Sequence, residues 1–232
     1  MNQPLASTAW IFLTTLLLVL AFVPFDPQLS HWAQNLPDEI VEFNREITDI
    51  GSAAWMIYTS ALLLLVAFIV RRTAHQDALR HKARTARNLS AYFLLTIGTA
   101  STVVHGLKFL IGRARPELFA EYGAYSLTPF TSDRLFESFP SGHSTAAGAL
   151  FGAFAMLMPQ LRPVFLILAL AIGVSRVIVG AHYPSDVAAG LLLGLWVAIM
   201  VAFVFARQGW LFRLDAGGWP APKRAISQQK EK

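Results

Sequence analysis

Residues 187–206 read VAAGLLLGLWVAIMVAFVFA, twenty consecutive residues without a charged side chain. A helix of this length rises about 30 Å, which matches the hydrocarbon thickness of a bilayer. The apolar residues follow one another without the alternation of a half-buried strand, so the segment predicts a membrane-spanning helix. Five further stretches have the same character, at residues 1–25, 50–70, 88–107, 138–161 and 163–183, the last interrupted only by Arg176. The sequence therefore predicts an all-α membrane protein, built as a bundle of six transmembrane helices.

The overall composition supports a membrane protein. Only 14% of the residues are charged, whereas soluble domains carry about 25%. The chain contains no cysteine, which excludes disulfides, thiolate metal sites, iron–sulfur clusters and cysteine nucleophiles. The net charge is +5, but the basic residues lie beside the apolar stretches, so a bilayer explains them better than a nucleic acid does. We therefore expect membrane lipids as partners, with no nucleic acid and no obligate protein partner.

The charges of the connecting segments alternate and predict an orientation. Residues 71–87 hold six basic side chains and one acid, and residues 207–232 also hold six basic side chains. Residues 26–49 are the opposite, with six acids and one base. Because basic segments stay in the cytoplasm, we expect both termini inside. The acidic segment and the links near 112–140 and 178–186 then lie outside.

Two segments fall outside the apolar core of the predicted bundle. The six-helix domain is expected to cover residues 1–206, followed at 207–232 by a basic cytoplasmic tail. The part after Trp210 has little periodicity, and we expect it to be loosely ordered. Within residues 30–49, an apolar stripe recurs at helical spacing and consists of Trp32, Leu36, Ile40, Phe43 and Ile47. This pattern predicts an outer-surface amphipathic helix, lying on the membrane or packed over the bundle.

Polar side chains concentrate at the outer ends of three spans, where charges are costly and tend to be functional. They are Lys108, Arg113 and Arg115 after the third span, Pro140-Ser141-Gly142-His143 opening the fourth, Ser175 and Arg176 ending the fifth, and His182 and Asp186 in the short link to the sixth. Taken alone, each arginine is better explained as an interface anchor, and the His182–Asp186 pair as a structural hydrogen bond. The coincidence of all three clusters at one face favours a functional site. His31 and His105 are left outside it.

The combined set is typical of a phosphate site. Arginine grips two phosphate oxygens at once, and a helix that opens with Ser141 and Gly142 offers a side-chain cap and backbone N–H groups. Histidine serves as a nucleophile or an acid–base group near neutral pH. Asp186 follows His182 by four residues, so on a helical path it comes within reach of one imidazole nitrogen. Few carboxylates lie near the histidines, which disfavours a metal site.

These clusters resemble the signature of the type-2 phosphatidic acid phosphatase (PAP2) superfamily. The first part of that signature, a lysine, six residues and Arg-Pro, matches Lys108 to Pro116. The second part, Pro-Ser-Gly-His, matches residues 140–143. The third part, Ser-Arg, five residues, His, three residues and Asp, matches residues 175–186. Every signature position is present, whereas Arg113 lies one residue off the pattern and is left out of the predicted site.

The resemblance implies a PAP2-like fold and a role for each matched residue. His182 is expected to attack phosphorus and form a phosphohistidine, with Asp186 orienting it and stabilising its charge. His143 is expected to protonate the leaving oxygen and then to help activate water. Phosphate binding falls to five residues, namely Lys108, Arg115, Ser141, Gly142 and Arg176. The resemblance implies no metal and no other cofactor.

The implied activity is metal-independent hydrolysis of a membrane lipid phosphate or diphosphate, at the periplasmic face of a bacterial inner membrane. Four substrates remain open: undecaprenyl diphosphate, lipid A phosphate, phosphatidylglycerol phosphate and phosphatidic acid. One alternative is a lipid phosphotransferase that uses the same phosphohistidine, and another is a non-enzymatic transporter or lipid-binding protein. Polar residues at one face, rather than in mid-span, favour the enzyme. Six spans argue against a soluble vanadate-dependent haloperoxidase, which shares this type of site.

Overall fold

The computed structural model describes residues 3–223, with side chains from residue 13 onward. The predicted tail lies outside the described residues from residue 224. The described elements are α1 Gln3–Phe22, α2 Asp26–Gln34, α3 Asp38–Asp49, α4 Ala53–Thr73, α5 Asp77–Ile111, α6 Phe119–Tyr122, α7 Gly142–Leu157, α8 Arg162–Ile178, α9 Pro184–Arg207, β1 Phe212–Leu214 and β2 Pro220–Pro222. Helices dominate this part of the chain, as the sequence predicts.

Five helical stretches of the described chain are long and apolar enough to cross a membrane. They are Leu13–Gln34, Asp38–Thr73, Asp77–Ile111, Pro159–Ile178 and Pro184–Arg207, and they correspond to five of the six predicted spans. The remaining predicted span, at 138–161, forms the shorter helix α7 of 16 residues. Ser141 caps the start of α7, and a 3-10 turn at Pro159–Leu161 follows its end. Most residues of α7 are buried, so it is the central helix of the bundle.

Helix α5 is longer than the span predicted at 88–107. It begins at Asp77 and runs for 35 residues, so much of the basic segment 71–87 forms its first turns. Residues 78–87 read ALRHKARTAR, which are mainly strong helix formers without glycine or proline. The basic residues predict where the membrane ends, but α5 extends beyond that point. Gly112 ends α5 with a left-handed φ of 62°, a conformation that favours glycine.

The predicted amphipathic segment at 30–49 divides into α2 and α3 at Pro37. Helix α3 packs on α8, and the face that it buries is polar and includes Thr48. Its apolar residues Ile40 and Phe43 are exposed instead. The structure packs α3 on the bundle through its polar face and leaves Ile40 and Phe43 exposed, so the placement on the membrane surface stays a prediction.

Helices α7 and α9 touch along a row of small residues. A methyl group added at Gly148 would lie 2.2 Å from a backbone oxygen of α9, and one added at Gly194 would lie 2.1 Å from the Thr145 carbonyl oxygen. Neither position has room for a side chain, which is how small residues let membrane helices approach. We call this row, formed by Gly148 and Gly194, the glycine seam. It sets the starts of the two helices side by side, so that the Ser141 N–H donates a 3.0 Å hydrogen bond to the Asp186 carbonyl oxygen.

The β1–β2 hairpin packs against the opposite end of α9. Phe212 is fully buried, with its ring 5.0 Å from that of Tyr92, and Phe205 belongs to the same cluster. The Tyr92 hydroxyl donates a 3.0 Å hydrogen bond to the Ala198 carbonyl oxygen. The expectation of a loosely ordered tail is therefore wrong for the hairpin, because an aromatic side chain anchors it to the bundle. The domain boundary at residue 206 stays a prediction.

Candidate active site

His182 and Asp186 meet where α8 gives way to α9. His182 lies in the link between these helices and is 3% exposed, and Asp186 lies fully buried in the first turn of α9. The His182 Nδ1 is 3.6 Å from Asp186 Oδ2, which is close contact but longer than a hydrogen bond. Asp186 Oδ2 already accepts hydrogen bonds from the Ser138 hydroxyl at 2.6 Å and the Tyr183 N–H at 2.9 Å. The carboxylate is thus fixed beside the imidazole.

The surroundings of His182 keep its imidazole neutral. Burial lowers the pKa of His182 to about 3, and the nearby Lys108 and Arg115 charges lower it further, against the opposing effect of Asp186. At neutral pH the ring therefore keeps a nitrogen lone pair, which a nucleophile requires. Nδ1 faces Asp186, so Nε2 lies on the far side of the ring from the carboxylate.

Three cations surround the histidines, and we call Lys108, Arg115 and Arg176 the cation triad. The charges of all three act electrostatically on His143. Lys108 is buried at the end of α5, and its Nζ donates to the Glu137 carbonyl oxygen. The triad has no carboxylate within ion-pair distance in the described part of the chain, so its charge remains available to an anion.

Backbone and hydroxyl groups hold the two arginines of the triad. The Arg115 Nε donates to the Arg134 carbonyl oxygen at 2.9 Å, and burial together with the Arg134 charge lowers the pKa of Arg115. The Arg176 Nη1 donates to the Thr48 hydroxyl on α3 at 3.0 Å. Arg176 Nε is buried, and no hydrogen-bond partner for it exists among the described residues. Both arginines thus keep donor groups for a ligand.

The start of α7 completes this side of the site. Ser141 is the N-cap residue, and its Oγ accepts hydrogen bonds from the Ser144 N–H and hydroxyl, at 3.4 and 2.9 Å. A methyl group on Gly142 would lie 3.8 Å from Lys108 Cε, so the first backbone N–H groups of α7 lie next to the triad. His143 follows in the same turn. The structure therefore brings together all eight residues that the signature predicts.

Arg113, which lies outside the predicted site, is the most heavily bonded side chain near His182. It is 6% exposed, and its Nη1 donates to Asp186 Oδ1 at 2.6 Å and to the Ser185 hydroxyl at 2.7 Å. Its Nη2 donates to Asp26 Oδ2 at 2.8 Å, and its guanidinium lies 4.3 Å from the centre of the Tyr183 ring. Burial lowers the pKa of Arg113, but the Asp186 and Asp26 carboxylates raise it by more.

The spacing of Arg113 and Arg115 gave no signal for this difference. Residues two apart in an extended segment share a side, and Arg113 forms only an isolated bridge with Leu127. The contacts alone separate the two arginines, since Arg113 binds the carboxylates and Arg115 donates to the Arg134 carbonyl oxygen. Asp26, the second carboxylate that Arg113 binds, could not be recognised as a site residue from the sequence, where it is a single acid among apolar neighbours.

Comparison with known proteins decides the family. Residues 89–210, more than half of the chain, match the model of the PAP2 superfamily. The chain belongs to the PAP2 superfamily. This PAP2 protein is 42% identical over 224 residues to a lipid A 1-phosphatase of Rhizobium johnstonii, covering 95% of this chain and 90% of that protein. It is 41% identical over 224 residues to a lipid A 1-phosphatase of Rhizobium etli, covering 95% and 94%.

A solved structure shares the fold of this PAP2 protein. The crystal structure of a transmembrane PAP2-type phosphatidylglycerolphosphate phosphatase from Bacillus subtilis aligns with a TM-score of 0.59 at 25% identity, over 87% of this chain and 94% of that one. The resemblance predicted from the sequence is thereby confirmed. The PAP2 chain is a lipid phosphatase and an integral membrane protein, which decides against the non-enzymatic alternative.

Proposed function

We propose that this PAP2 phosphatase removes the 1-phosphate of lipid A through a phosphohistidine on His182. The mechanism rests on one observation. His182 is buried and neutral, contacts Asp186, and lies near the positive charges of the cation triad. The two relatives that match almost the whole chain, both lipid A 1-phosphatases, support the substrate. Undecaprenyl diphosphate, phosphatidylglycerol phosphate and phosphatidic acid are the competing substrates.

In the first step, His182 Nε2 forms a bond to phosphorus as the bond between phosphorus and the lipid oxygen breaks. His143 gives its proton to the departing oxygen, so the lipid leaves as an alcohol. The phosphoryl group stays on His182, and the Asp186 carboxylate stabilises the positive charge that the ring acquires. In the second step, water attacks phosphorus, His143 takes a proton from the water, and the nitrogen–phosphorus bond breaks to release phosphate.

The cation triad is suited to the charge of the transferring group. In phosphoryl transfer, negative charge spreads over three equatorial oxygens, and fixed donors that meet it lower the barrier. Lys108, Arg115 and Arg176 approach from three different segments, and the N–H groups at Gly142 add the positive end of a helix. Ser141 contributes by capping that helix start. These groups account for phosphate binding without a metal, and the described residues contain no cluster of three or more His, Asp or Glu that could hold one.

The orientation supports a substrate of the outer leaflet. We propose that α7 completes a six-helix domain at residues 1–206, with the tail in the cytoplasm and the site at the periplasmic face of a bacterial inner membrane. The basic residues of the first turns of α5 and the cation triad lie at opposite ends of that 35-residue helix. A cytoplasmic position for the basic end therefore sets the site at the outer headgroup level.

The test is phosphate release by the detergent-purified protein, in EDTA, from the four lipid phosphates. We expect lipid A to be the best substrate and EDTA to have no effect. His182→Ala is expected to lose at least ~10³-fold in kcat, as for removal of a covalent nucleophile, whereas His31→Ala on the exposed surface of α2 serves as the matched control. Equal activity of His182→Ala and wild type would contradict the phosphohistidine. Release only after addition of a second lipid would instead indicate the phosphotransferase.

A further inference from the structure

One arginine holds two buried carboxylates beside the nucleophile. Arg113 binds Asp186 with Nη1 at 2.6 Å and Asp26 with Nη2 at 2.8 Å, and both carboxylates are fully buried. Asp26 opens α2, while Asp186 lies in the first turn of α9, so the three residues come from three separate segments. Asp186 acts on His182 in the proposed reaction, whereas Asp26 has no role in it so far.

We propose that Asp26 is a positioning residue for phosphohistidine formation, because it shares the Arg113 guanidinium with Asp186 and leaves Asp186 with negative charge for His182. This inference rests on the proposed function. It adds to that function a residue 156 positions before the nucleophile in the chain, outside the three signature clusters.

The network of Arg113 with Asp26 and Asp186 carries a net negative charge. One guanidinium and two carboxylates leave a net charge of −1 in a site that excludes water. If Arg113 faced Asp186 alone, the pair would be neutral. Asp186 would then have little charge left to stabilise the imidazolium that forms when Nε2 bonds to phosphorus. In a buried site such a difference is weakly screened and therefore large.

Asp26 also forms hydrogen bonds with Ser185. Asp26 Oδ1 accepts from the Ser185 N–H at 2.9 Å, and Asp26 Oδ2 accepts from the Ser185 hydroxyl at 2.6 Å. Ser185 immediately precedes Asp186, so Asp26 binds the backbone from which Asp186 projects. Asp26 thus fixes both the guanidinium that holds Asp186 Oδ1 and the helix turn that aims the Asp186 side chain.

A purely structural tie between α2 and α9 is the competing explanation, and the two differ in their response to charge. A tie is lost when either partner is removed, so the double variant would be no better than the single variants. Charge sharing predicts that the double variant is better. Asp26→Asn leaves the network neutral, and Arg113→Gln leaves it at −2, whereas the double variant restores −1 around Asp186.

The experiment measures kcat and KM of purified Asp26→Asn, Arg113→Gln and the double variant on the best lipid phosphate, beside wild type. Asp38→Asn, an exposed acid on α3, is the matched control. We expect Asp26→Asn to lower kcat about tenfold or more, as for coupled groups in one network, with KM within about threefold. The double variant is expected to exceed Arg113→Gln in kcat. A double variant no better in kcat than Arg113→Gln would overturn the proposal.

Two further measurements guard against loss of folding. Orthovanadate mimics the five-coordinate phosphorus on His182, so its inhibition constant is expected to rise in Asp26→Asn and to stay unchanged in Asp38→Asn. Asp26→Glu keeps the charge and is expected to retain more kcat than Asp26→Asn. If neither Asp26 variant yields folded protein, Asp26 is a structural tie and the proposal is overturned. Failure of the proposed function is distinct, because His182→Ala would then remain active or wild type would release no phosphate.

Discussion

Arg176 on α8 donates a 3.0 Å hydrogen bond to the hydroxyl of Thr48 on α3. Thr48 is almost fully buried, and the polar face of α3 thus contacts a member of the cation triad. The helix over the bundle therefore aims a phosphate-binding arginine, although the two residues lie 128 positions apart in the chain.

Thr48→Val is expected to weaken phosphate binding. Valine keeps the volume but removes the acceptor, and a hydrogen bond to a charged group is worth about 1.5–3 kcal/mol. We expect kcat/KM for the lipid phosphate to fall about tenfold, mainly through KM. Thr85→Val, at an exposed position of α5, is the matched control. An unchanged KM in Thr48→Val would show that Arg176 needs no help from α3.

His143→Ala is expected to lose activity in proportion to the basicity of the leaving group. General acid catalysis contributes about 10²–10⁴-fold, and a nitrophenolate ion leaves without a proton. In single-turnover experiments, we expect His143→Ala to be strongly impaired on a lipid phosphate but far less on 4-nitrophenyl phosphate. His105→Ala, at an exposed position of α5, is the control. Equal losses on both substrates would remove His143 from the acid role.

Stability is expected to fall in acid because of His182. Burial lowers the pKa of His182 from 6.5 to about 3. Between these values the unfolded chain binds a proton that the folded chain does not, so stability is lost as pH decreases below 6.5 and is unaffected above it. The slope for one proton is about 1.4 kcal/mol per pH unit.

The check is the apparent melting temperature in detergent from pH 7 to pH 4. His182→Gln is expected to show a shallower decline than wild type, because glutamine does not titrate. His31→Gln, at an exposed histidine of α2, is expected to follow wild type. Parallel curves for wild type and His182→Gln would mean that the buried imidazole is protonated in the folded protein.

Gly194→Ala is expected to destabilise the bundle. The added methyl group would lie 2.1 Å from the Thr145 carbonyl oxygen, so the glycine seam must separate. Overpacking typically costs about 1–3 kcal/mol, and we expect a lower apparent melting temperature together with lower activity. Gly98→Ala on α5 has open space around the added methyl group and is expected to be neutral. Similar behaviour of both variants would contradict the close contact of α7 and α9.

The orientation is testable because the chain contains no cysteine. Glu39→Cys lies on exposed α3, beside the site, and Gln76→Cys lies between α4 and α5, at the basic end. A membrane-impermeant maleimide added to intact spheroplasts is expected to label Glu39→Cys only. Gln76→Cys is expected to react only after permeabilisation. The reverse pattern would place the site in the cytoplasm.

Much of the site could be predicted because its residues are ordered by short, local spacings. His182 and Asp186 are four residues apart, and Ser141 to His143 open one helix, so chemistry and position are visible together in the sequence. The spans were visible for a related reason, since bilayer thickness dictates the length of an apolar run. The start of α5 was not visible, because hydropathy reports where the membrane stops, whereas strong helix formers extend the helix back to Asp77.

The partners of the site residues could not be predicted. Arg113 pairs with Asp26 across 87 positions, and such a choice depends on which helix ends meet in space. The buried hydroxyl of Thr48 was equally hidden, because the apolar stripe of its helix suggested that the polar residues face water. Phe212 looked like one aromatic residue in a polar tail, until its packing on Tyr92 showed an anchor.

The glycine seam makes the α7–α9 side of the site more rigid than the side formed by α3. Where two backbones touch at Gly148 and Gly194, neither helix can move sideways without losing its packing. His143 and Asp186 stand on that rigid pair. The opposite wall, at α3, is held by side-chain contacts such as Arg176 to Thr48 and not by touching backbones. We therefore expect the substrate headgroup to enter and leave on the side of α3, while the reacting groups keep their positions.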